Sequence, residues 1–237
     1  MEYVLKIGGS VLTDKSKEKT LSQDFDSILE NLEGHGNGVL VHGAGSYGHP
    51  QAEKHGVKQG SYQGVLEVHR SISELNTEIM EKLSEIGLKP VPVHTSSIAY
   101  RNPETQLHLD KLSGILDEGF TPVLHGDIVP HKNKGFTIIS GDEIVAKVEK
   151  QYSTGKAGFC SSVKGVLDDQ GDVLDKISSM EEFTDKGMET TDVTGGMKGK
   201  VKQQIDEGVK ARIFGKDSLE DFLEDRRPGT LVNPTSK

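Results

Sequence analysis

The stretch Tyr3-Val4-Leu5-Lys6-Ile7-Gly8-Gly9-Ser10 opens the chain with a pattern that recurs along its length. The run from residue 3 to residue 7 is mostly apolar and predicts a short buried strand, and the glycine pair after it predicts a tight turn. A second unit has the same form, with a strand at residues 38–42 and a glycine-rich loop at 43–60. Two strands that each run into glycines indicate a fold built from βα units.

The rest of the chain continues this alternation. Apolar residues at helical spacing predict helices at 25–32 and 65–86, and Gly34 and Gly87 are placed to end them. The same reasoning predicts strands at 90–94, 120–124, 157–163 and 211–214, helices near 109–116, from 141, from 196 to about 207 and at 219–223, and hairpins at 128–139 and around 168–171. Repeated βα units imply an α/β protein whose mostly parallel sheet has helices on both faces and binds ligands at the carboxyl ends of its strands.

Composition and charge narrow the possible functions. The 237 residues are enough for one α/β unit or for two small lobes that share an interface. A net charge of −9, from 37 acidic and 28 basic residues, leaves no basic stripe for nucleic acid or for an anionic membrane surface. Cys160 is the single cysteine, and the chain runs directly into its first strand. We therefore expect a cytoplasmic protein with neither an export signal nor a transmembrane segment.

Three glycine-rich turns carry the chemistry. They lie at residues 6–10, 42–49 and 194–200, and each includes a basic residue, respectively Lys6, His49 and Lys200. Glycine allows backbone N–H groups to approach oxygen atoms closely, and the N-terminus of a helix adds partial positive charge. One such turn is most often structural, but three of them in one α/β chain predict phosphate binding.

Two other phosphate-binding architectures fit less well. Gly43, Gly45 and Gly48 match the G-x-G-x-x-G pattern of dinucleotide-binding proteins, in which a helix begins directly at the glycines. Here Pro50 is expected to hold His49 extended and so to prevent that helix. A strand that ends in an acidic residue about 20 positions later is also missing. A Walker A loop is absent because the spacing up to Lys200 is one residue short.

The motifs are similar, in order and spacing, to those of the amino-acid-kinase superfamily over nearly the whole chain. The matching segments are Lys6-Ile7-Gly8-Gly9-Ser10 with Thr13-Asp14-Lys15, His42-Gly43-Ala44-Gly45-Ser46-Tyr47-Gly48-His49, Ser140-Gly141-Asp142, and Asp192-Val193-Thr194-Gly195-Gly196-Met197 with Lys200. The second histidine of the glycine loop, His49, resembles the isopentenyl phosphate kinases and the related fosfomycin kinases, whereas kinases of this superfamily with carboxylate acceptors lack it.

This resemblance implies a three-layer αβα sandwich with a mostly parallel central sheet. It places the phosphoryl acceptor in an N-terminal lobe, residues 1–155, and ATP in a C-terminal lobe, residues 156–237. It also implies Mg²⁺ held chiefly by the ATP oxygens, no metal ligands on the protein, and a homodimer.

The resemblance further implies a role for each matched residue. Lys6 and Lys200 would neutralise charge on the transferring phosphoryl group, Lys15 would stabilise the transition state, and Asp142 would orient the lysines. Ala44, His49 and Gly141 would hold the acceptor. The nucleotide phosphates would contact Gly8, Gly9, Ser10, Gly45 and Gly196 as well as Lys6 and Lys200.

The chain departs from the family pattern at two places. The first is the segment Ser161-Ser162-Val163-Lys164-Gly165-Val166, where the family usually has Thr-Asp-Val-Asp-Gly-Val, and this difference affects the expected nucleotide contacts. The second is Tyr47, which stands where a phenylalanine is expected.

The histidines outside the matched motifs show no metal-ligand spacing and are expected to be structural or solvated. The segment 125–127 is one exception, because it ends a strand on the ligand side. Two alternatives stay open: a kinase for a phosphonate such as fosfomycin, and a non-catalytic protein that binds small molecules on this fold.

Overall fold

The computed structural model of the chain describes residues 1–57, 60–183 and 196–235, apart from the side chain of His49. The central sheet has eight strands, namely β1 (Tyr3–Ile7), β2 (Gly38–His42), β3 (Pro90–Pro92), β6 (Thr121–His125), β9 (Ala157–Ser161), β10 (Lys176–Ile177), β11 (Ala211–Gly215) and β12 (Thr230–Val232). Their order in the sheet is β10-β12-β11-β9-β1-β2-β6-β3, and only the β11–β12 pair is antiparallel. The predicted parallel sheet is therefore confirmed.

A second sheet of four strands lies beside the central one. Its order is β5-β4-β7-β8, with β4 (Ala99–Arg101), β5 (Thr105–Leu107), β7 (Asp127–His131) and β8 (Gly135–Ile139). The chain passes from the central sheet into this one at Gly126, between β6 and β7. Strands β7 and β8 form the predicted antiparallel hairpin, with a turn of three residues because His131 pairs with Gly135.

Helices cover both faces of the central sheet. They are α1 (Gly9–Leu12), α2 (Phe25–Glu30), α3 (His49–Lys54), α4 (Tyr62–Glu85), α5 (Thr95–Ile98), α6 (Lys111–Asp117), α7 (Gly141–Tyr152), α8 (Gly196–Glu207) and α9 (Leu219–Leu223). Neighbouring residues of a strand point to opposite faces. Leu5 accordingly packs with α2, α4 and α9, while Val4 packs with α7 and α8. These two cores give the predicted three-layer αβα sandwich.

The long helix α4 illustrates how the sequence sets these elements. Its apolar residues recur every three or four positions and are buried on one side, as at Leu75 and Ile79, and the hydroxyl of Ser61 caps its first turn by accepting from the Gly64 N–H. Gly87 follows the helix with a φ of 83°, the left-handed conformation that ends many helices. None of the helices in the described part of the chain is long and apolar enough to cross a membrane.

The expectation that Pro50 holds His49 extended is wrong. His49 is the first residue of α3 and Pro50 the second, so the glycine-rich loop 43–60 contains a helix. A helix has no partner for the N–H groups of its first turn, and a proline there costs no hydrogen bond. One argument against a dinucleotide-binding fold is thereby lost. The other remains, because residues 62–85 are helical where that fold would need a strand ending in an acidic residue.

Candidate active site

A cavity of about 370 Å³ opens at the carboxyl ends of the central strands. Four adjacent strands end at the cavity, and the residue that follows each of them lines its wall. Gly8 follows β1, Gly43 follows β2, Gly126 follows β6, and Ser162 follows β9. Ligands of open α/β sheets bind at this edge. The cavity is therefore the candidate active site.

Two of the predicted phosphate turns meet at the cavity in direct contact. The backbone of Gly9 lies so close to that of Gly45 that a Cβ atom on Gly9 would overlap the Gly45 nitrogen. Gly45 itself has a φ of 50°, which favours glycine. Glycine is thus required at both positions for the turn after β1 to pack against the loop after β2.

The centre of the cavity holds a buried cluster of one carboxylate and two lysines. Oδ1 of Asp142 lies 2.9 Å from Nζ of Lys6 and 2.5 Å from Nζ of Lys200. The three side chains are 9–12% exposed. Burial alone would raise the pKa of Asp142, but the charges of Lys200 and Lys6 and their hydrogen bonds outweigh it and hold this pKa well below its usual range. The cluster carries a net positive charge when both lysines are protonated.

Each member of this lysine–carboxylate cluster comes from a different element. Lys6 is on β1, Asp142 is the second residue of α7, and Lys200 is on α8, where its Nζ also lies 4.8 Å from the centre of the Phe159 ring. Ser140 caps α7 by accepting from the Glu143 N–H. The N-terminus of α7 therefore points its partial positive charge at the cavity.

Gly141, the first residue of α7, also lines the cavity. A Cβ atom at this position would lie 2.9 Å from Cε of Lys6. A side chain here would therefore displace Lys6, which explains why a glycine begins this helix.

Lys15 approaches the cavity in another way. It is exposed and lies on the loop 14–20 between Thr13 and Leu21, which form an isolated antiparallel bridge. No carboxylate in the described part of the chain forms an ion pair with it. Its ammonium group is thus available to a ligand but is fixed only through the loop.

One end of the cavity is apolar. Ile72 of α4, Ile128 of β7 and Ile138 of β8 line it together, and the transition from the central to the second sheet at Gly126 brings them next to the polar turns. Leu167 and Met197 are further apolar residues in the lining of the cavity. The cavity therefore combines a cationic centre with walls suited to a hydrocarbon group.

His42 and His125 directly precede the lining residues Gly43 and Gly126, and with His94 they form a group of histidines that sequence spacing did not reveal. His42 and His125 are buried on neighbouring strands with ring centres 5.3 Å apart, and Nε2 of His125 lies 3.3 Å from Nδ1 of His94. Burial lowers the pKa of His42 to about 3, so it is neutral in the folded protein at neutral pH. The described residues contain no group of three or more His, Cys, Asp or Glu that could hold a metal ion.

Asp127, in the segment that followed a predicted strand, is buried and lines the cavity. Its carboxylate accepts from the backbone N–H groups of Ser96 and Ile128, and its Oδ1 lies 3.3 Å from Nε2 of His69. These contacts fix the point at which the chain enters the second sheet.

The structure brings most of the predicted site residues to this one cavity. Those that line it are Lys6, Gly8, Gly9, Ser10, Lys15, Ala44, Gly45, Gly141, Asp142, Gly196 and Lys200. The side chain of His49 and the motif residues 192–195 lie outside the described residues. Lining residues that sequence reasoning missed include Ile72, Ile128 and Ile138, whereas Asp127 belongs to the segment 125–127 that was expected on the ligand side. The isoleucines were visible only as apolar positions of a helix and a hairpin, and no pattern distinguished them from core.

Similarity to known proteins identifies the family of this chain. The model of the amino acid kinase family matches residues 1–213, and the chain belongs to this family. It is similar to an isopentenyl phosphate kinase of Haloferax volcanii, with 39% identity and coverage of 97% of both chains, and to one of Methanocaldococcus jannaschii, with 30% identity and 85% coverage of both. The chain is thus a kinase whose relatives include isopentenyl phosphate kinases.

Solved structures show the same fold. A crystal structure of isopentenyl phosphate kinase superposes with a TM-score of 0.84 at 22% identity, covering 98% of this chain and 99% of that one. An isopentenyl phosphate kinase described as a substrate complex superposes with a TM-score of 0.77 at 26% identity, again over 98% of this chain and 99% of that one. The amino-acid-kinase fold expected from the motifs is confirmed.

Proposed function

We propose that this chain transfers the γ-phosphoryl group of ATP to isopentenyl phosphate and forms isopentenyl diphosphate. The observation that carries the proposal is that one cavity is lined both by the cluster of Lys6, Asp142 and Lys200 and by a group of three isoleucines. A phosphomonoester with a short hydrocarbon tail is complementary to both parts. The high similarity to isopentenyl phosphate kinases supports the same acceptor.

The buried lysines would act on the charge of the transferring group. Phosphoryl transfer depends mainly on positioning and on cations placed against the three equatorial oxygens. Lys6 and Lys200 would supply these cations, and Asp142 would orient both, because it binds the two Nζ atoms through one oxygen. Lys15 would add a third cation from the loop when the substrates are bound.

The acceptor would need no general base. A phosphomonoester has a second pKa near 6, and at neutral pH most of it already carries a nucleophilic oxyanion. His49, when protonated, would donate to the acceptor phosphate and offset its repulsion from ATP. Ala44 and Gly141 would contact the same phosphate through the backbone, and Ile72, Ile128 and Ile138 would surround the tail.

The nucleotide would occupy the side of the cavity formed by the lobe 156–237, with residues 1–155 holding the acceptor. Gly8, Gly9, Ser10, Gly45 and Gly196 would approach its phosphates through their backbone. Mg²⁺ would be bound mainly by the phosphate oxygens, since two carboxylates that line the cavity are already engaged, Asp142 by two lysines and Asp127 by backbone N–H groups. We further propose a cytoplasmic homodimer.

One assay separates this proposal from its alternatives. Purified protein is given Mg-ATP with isopentenyl phosphate, dimethylallyl phosphate or fosfomycin, and ATP consumption is measured side by side. The proposal requires turnover with isopentenyl phosphate. Turnover with fosfomycin alone would support a phosphonate kinase. Binding of Mg-ATP in a titration without turnover on any acceptor would support a binding protein.

His49 gives the most specific test of the acceptor site. We expect His49→Ala to abolish or severely weaken phosphorylation of isopentenyl phosphate while the melting temperature and Mg-ATP affinity stay near wild type. His55→Ala is the control, because His55 lies at the other end of α3, outside the cavity lining. A His49→Ala protein with normal kinetics and a melting temperature several degrees lower, as expected for about 1 kcal/mol, would assign His49 a structural role instead.

A further inference from the structure

Two buried hydroxyl residues, Thr13 and Ser46, lie where three loops of the candidate site meet. Both are 2% exposed, and neither has a place among the phosphate, acceptor or charge contacts proposed above. Thr13 follows the short helix α1 and begins the loop that carries Lys15. Ser46 is in the glycine-rich loop after β2. Buried hydroxyls are normally hydrogen-bonded, and the partners of these two connect the loops.

The hydroxyl of Thr13 joins the turn after β1 to the loop after β2. Its Oγ1 donates to the carbonyl oxygen of Gly9 at 2.7 Å and accepts from the N–H of Ser46 at 2.9 Å. A Cβ atom on Gly45 would overlap this Oγ1, so the packing around the hydroxyl is tight. The two turns proposed to contact the ATP and acceptor phosphates are thus held together by one side-chain oxygen.

Ser46 makes the matching connection at the far end of the Lys15 loop. Its Oγ donates to the carbonyl oxygen of Thr20 and accepts from the N–H of Thr20, both at 3.3 Å. Thr13 itself is paired with Leu21 at the base of this loop. Both ends of the loop 14–20 are therefore attached to the loop that carries Ala44 and Gly45.

We propose that Thr13 is a positioning residue for phosphoryl transfer. Its hydroxyl holds the turn 8–10, the loop 14–20 and the loop 43–49 in the relative arrangement that transfer needs, without touching either substrate. The proposal rests on the function proposed above, in which these loops serve the two substrates and Lys15. Displacing a reacting group by about 1 Å can cost on the order of 10²-fold in rate.

A positioning role predicts a particular division of kinetic effects. When the hydroxyl is removed, each loop keeps its own backbone contacts to its substrate. The KM for ATP and the KM for isopentenyl phosphate should therefore change little. The alignment of donor, acceptor and Lys15 is what should be lost, and the loss should appear in kcat. A residue that only stabilises the fold would leave kcat intact in the molecules that remain folded.

The chain offers a matched control in Thr121. This threonine is 1% exposed, and its Oγ1 donates to the carbonyl oxygen of Gly36 at 2.9 Å. It is the first residue of β6, at the end of the sheet opposite the cavity. Thr121→Val therefore removes the same kind of bond, a buried threonine hydroxyl to a glycine carbonyl, far from the site.

The experiment compares Thr13→Val, Thr13→Ser and Thr121→Val by steady-state kinetics and thermal melting. Valine keeps the volume of threonine without the hydroxyl, and serine keeps the hydroxyl. We expect Thr13→Val to lower kcat roughly tenfold to hundredfold with both KM values within about threefold of wild type. Thr13→Ser should recover most of kcat. Thr121→Val should keep wild-type kcat and lose less melting temperature than Thr13→Val, because Thr121 makes one of these bonds and Thr13 makes two.

Other results would overturn the proposal. A Thr13→Val enzyme whose kcat falls no further than that of Thr121→Val would leave Thr13 with a structural role, as would failure of Thr13→Ser to recover kcat. If Thr13→Val does not fold, Thr13→Ala replaces it, because it removes the hydroxyl without placing a methyl group against Gly45, and unchanged kcat in that variant counts against the proposal. If the wild type uses fosfomycin and not isopentenyl phosphate, the proposed acceptor is wrong, and the same variants are compared with fosfomycin.

Discussion

The lysines of the candidate site occupy two contrasting environments. Lys6 and Lys200 are buried and share one oxygen of Asp142, and regular elements hold all three residues. Lys15 is exposed, lies on a loop, and has no carboxylate partner in the described part of the chain. Both kinds line the same cavity.

This contrast separates two ways of placing a cation in an active site. The buried pair is positioned before substrates arrive, but it needs Asp142 as a counterion, since an uncompensated buried charge is costly. Lys15 needs no counterion because water solvates it, and its position depends on how the loop is attached. Substitution of the buried lysines should therefore affect both catalysis and stability, whereas substitution of Lys15 should affect catalysis alone.

Lys200→Ala should have the largest effect. Removing a cation that acts on transition-state charge typically lowers turnover on the order of 10²-fold or more. Stability should change as well, because Asp142 keeps only Lys6 as a partner. Lys202→Ala is the matched control on the same helix, since Lys202 is exposed and pairs with Asp206. Steady-state kinetics and thermal melting measure both effects, and near wild-type turnover would remove Lys200 from the mechanism.

Lys15→Ala should lower turnover about as strongly, by roughly 10²-fold, without a change in melting temperature. The control is Lys17→Ala, an exposed lysine two positions along the same loop. If Lys15→Ala melts several degrees below wild type, the contrast between the two environments fails. If it turns over normally, Lys15 has no catalytic role.

The same contrast explains how much the sequence could predict. Glycine turns, the capped helix α4 and the alternation of strands and helices depend on local chemistry, so the three-layer fold and the cavity residues near the glycines were predictable. The pairing of Lys6 with Asp142 spans 136 positions, and only the family resemblance suggested it.

Two features had no usable local signal. Strand β10 has two residues and strands β4, β5 and β12 have three, too few for a periodic pattern. The contact between His42 and His125 arises from pairing of β2 with β6, which sequence spacing does not encode. His49 is a different case, because two local rules conflict there: a residue before proline disfavours the helical conformation, whereas proline itself is accepted in the first turn of a helix.

The last prediction concerns stability alone, through the pH dependence that Asp142 contributes. Its pKa is lower in the folded protein than the value of about 3.9 expected in the unfolded chain. The ionised carboxylate therefore stabilises the fold fully above about pH 4, and this contribution is lost as pH falls from there toward the folded pKa.

Asp142→Asn removes the charge at nearly constant volume, and it should test this linkage directly. At pH 7 the variant leaves Lys6 and Lys200 without their counterion, and we expect its free energy of unfolding to be lower than that of the wild type by about 3 kcal/mol. The difference should narrow below about pH 4, because only the wild type then loses the stabilising charge. Asp206→Asn is the control, since the exposed pair of Asp206 with Lys202 should contribute little at any pH. Urea unfolding between pH 7 and pH 3 measures the difference, and a gap that stayed constant across this range would mean that Asp142 is not the charged centre of the lysine cluster.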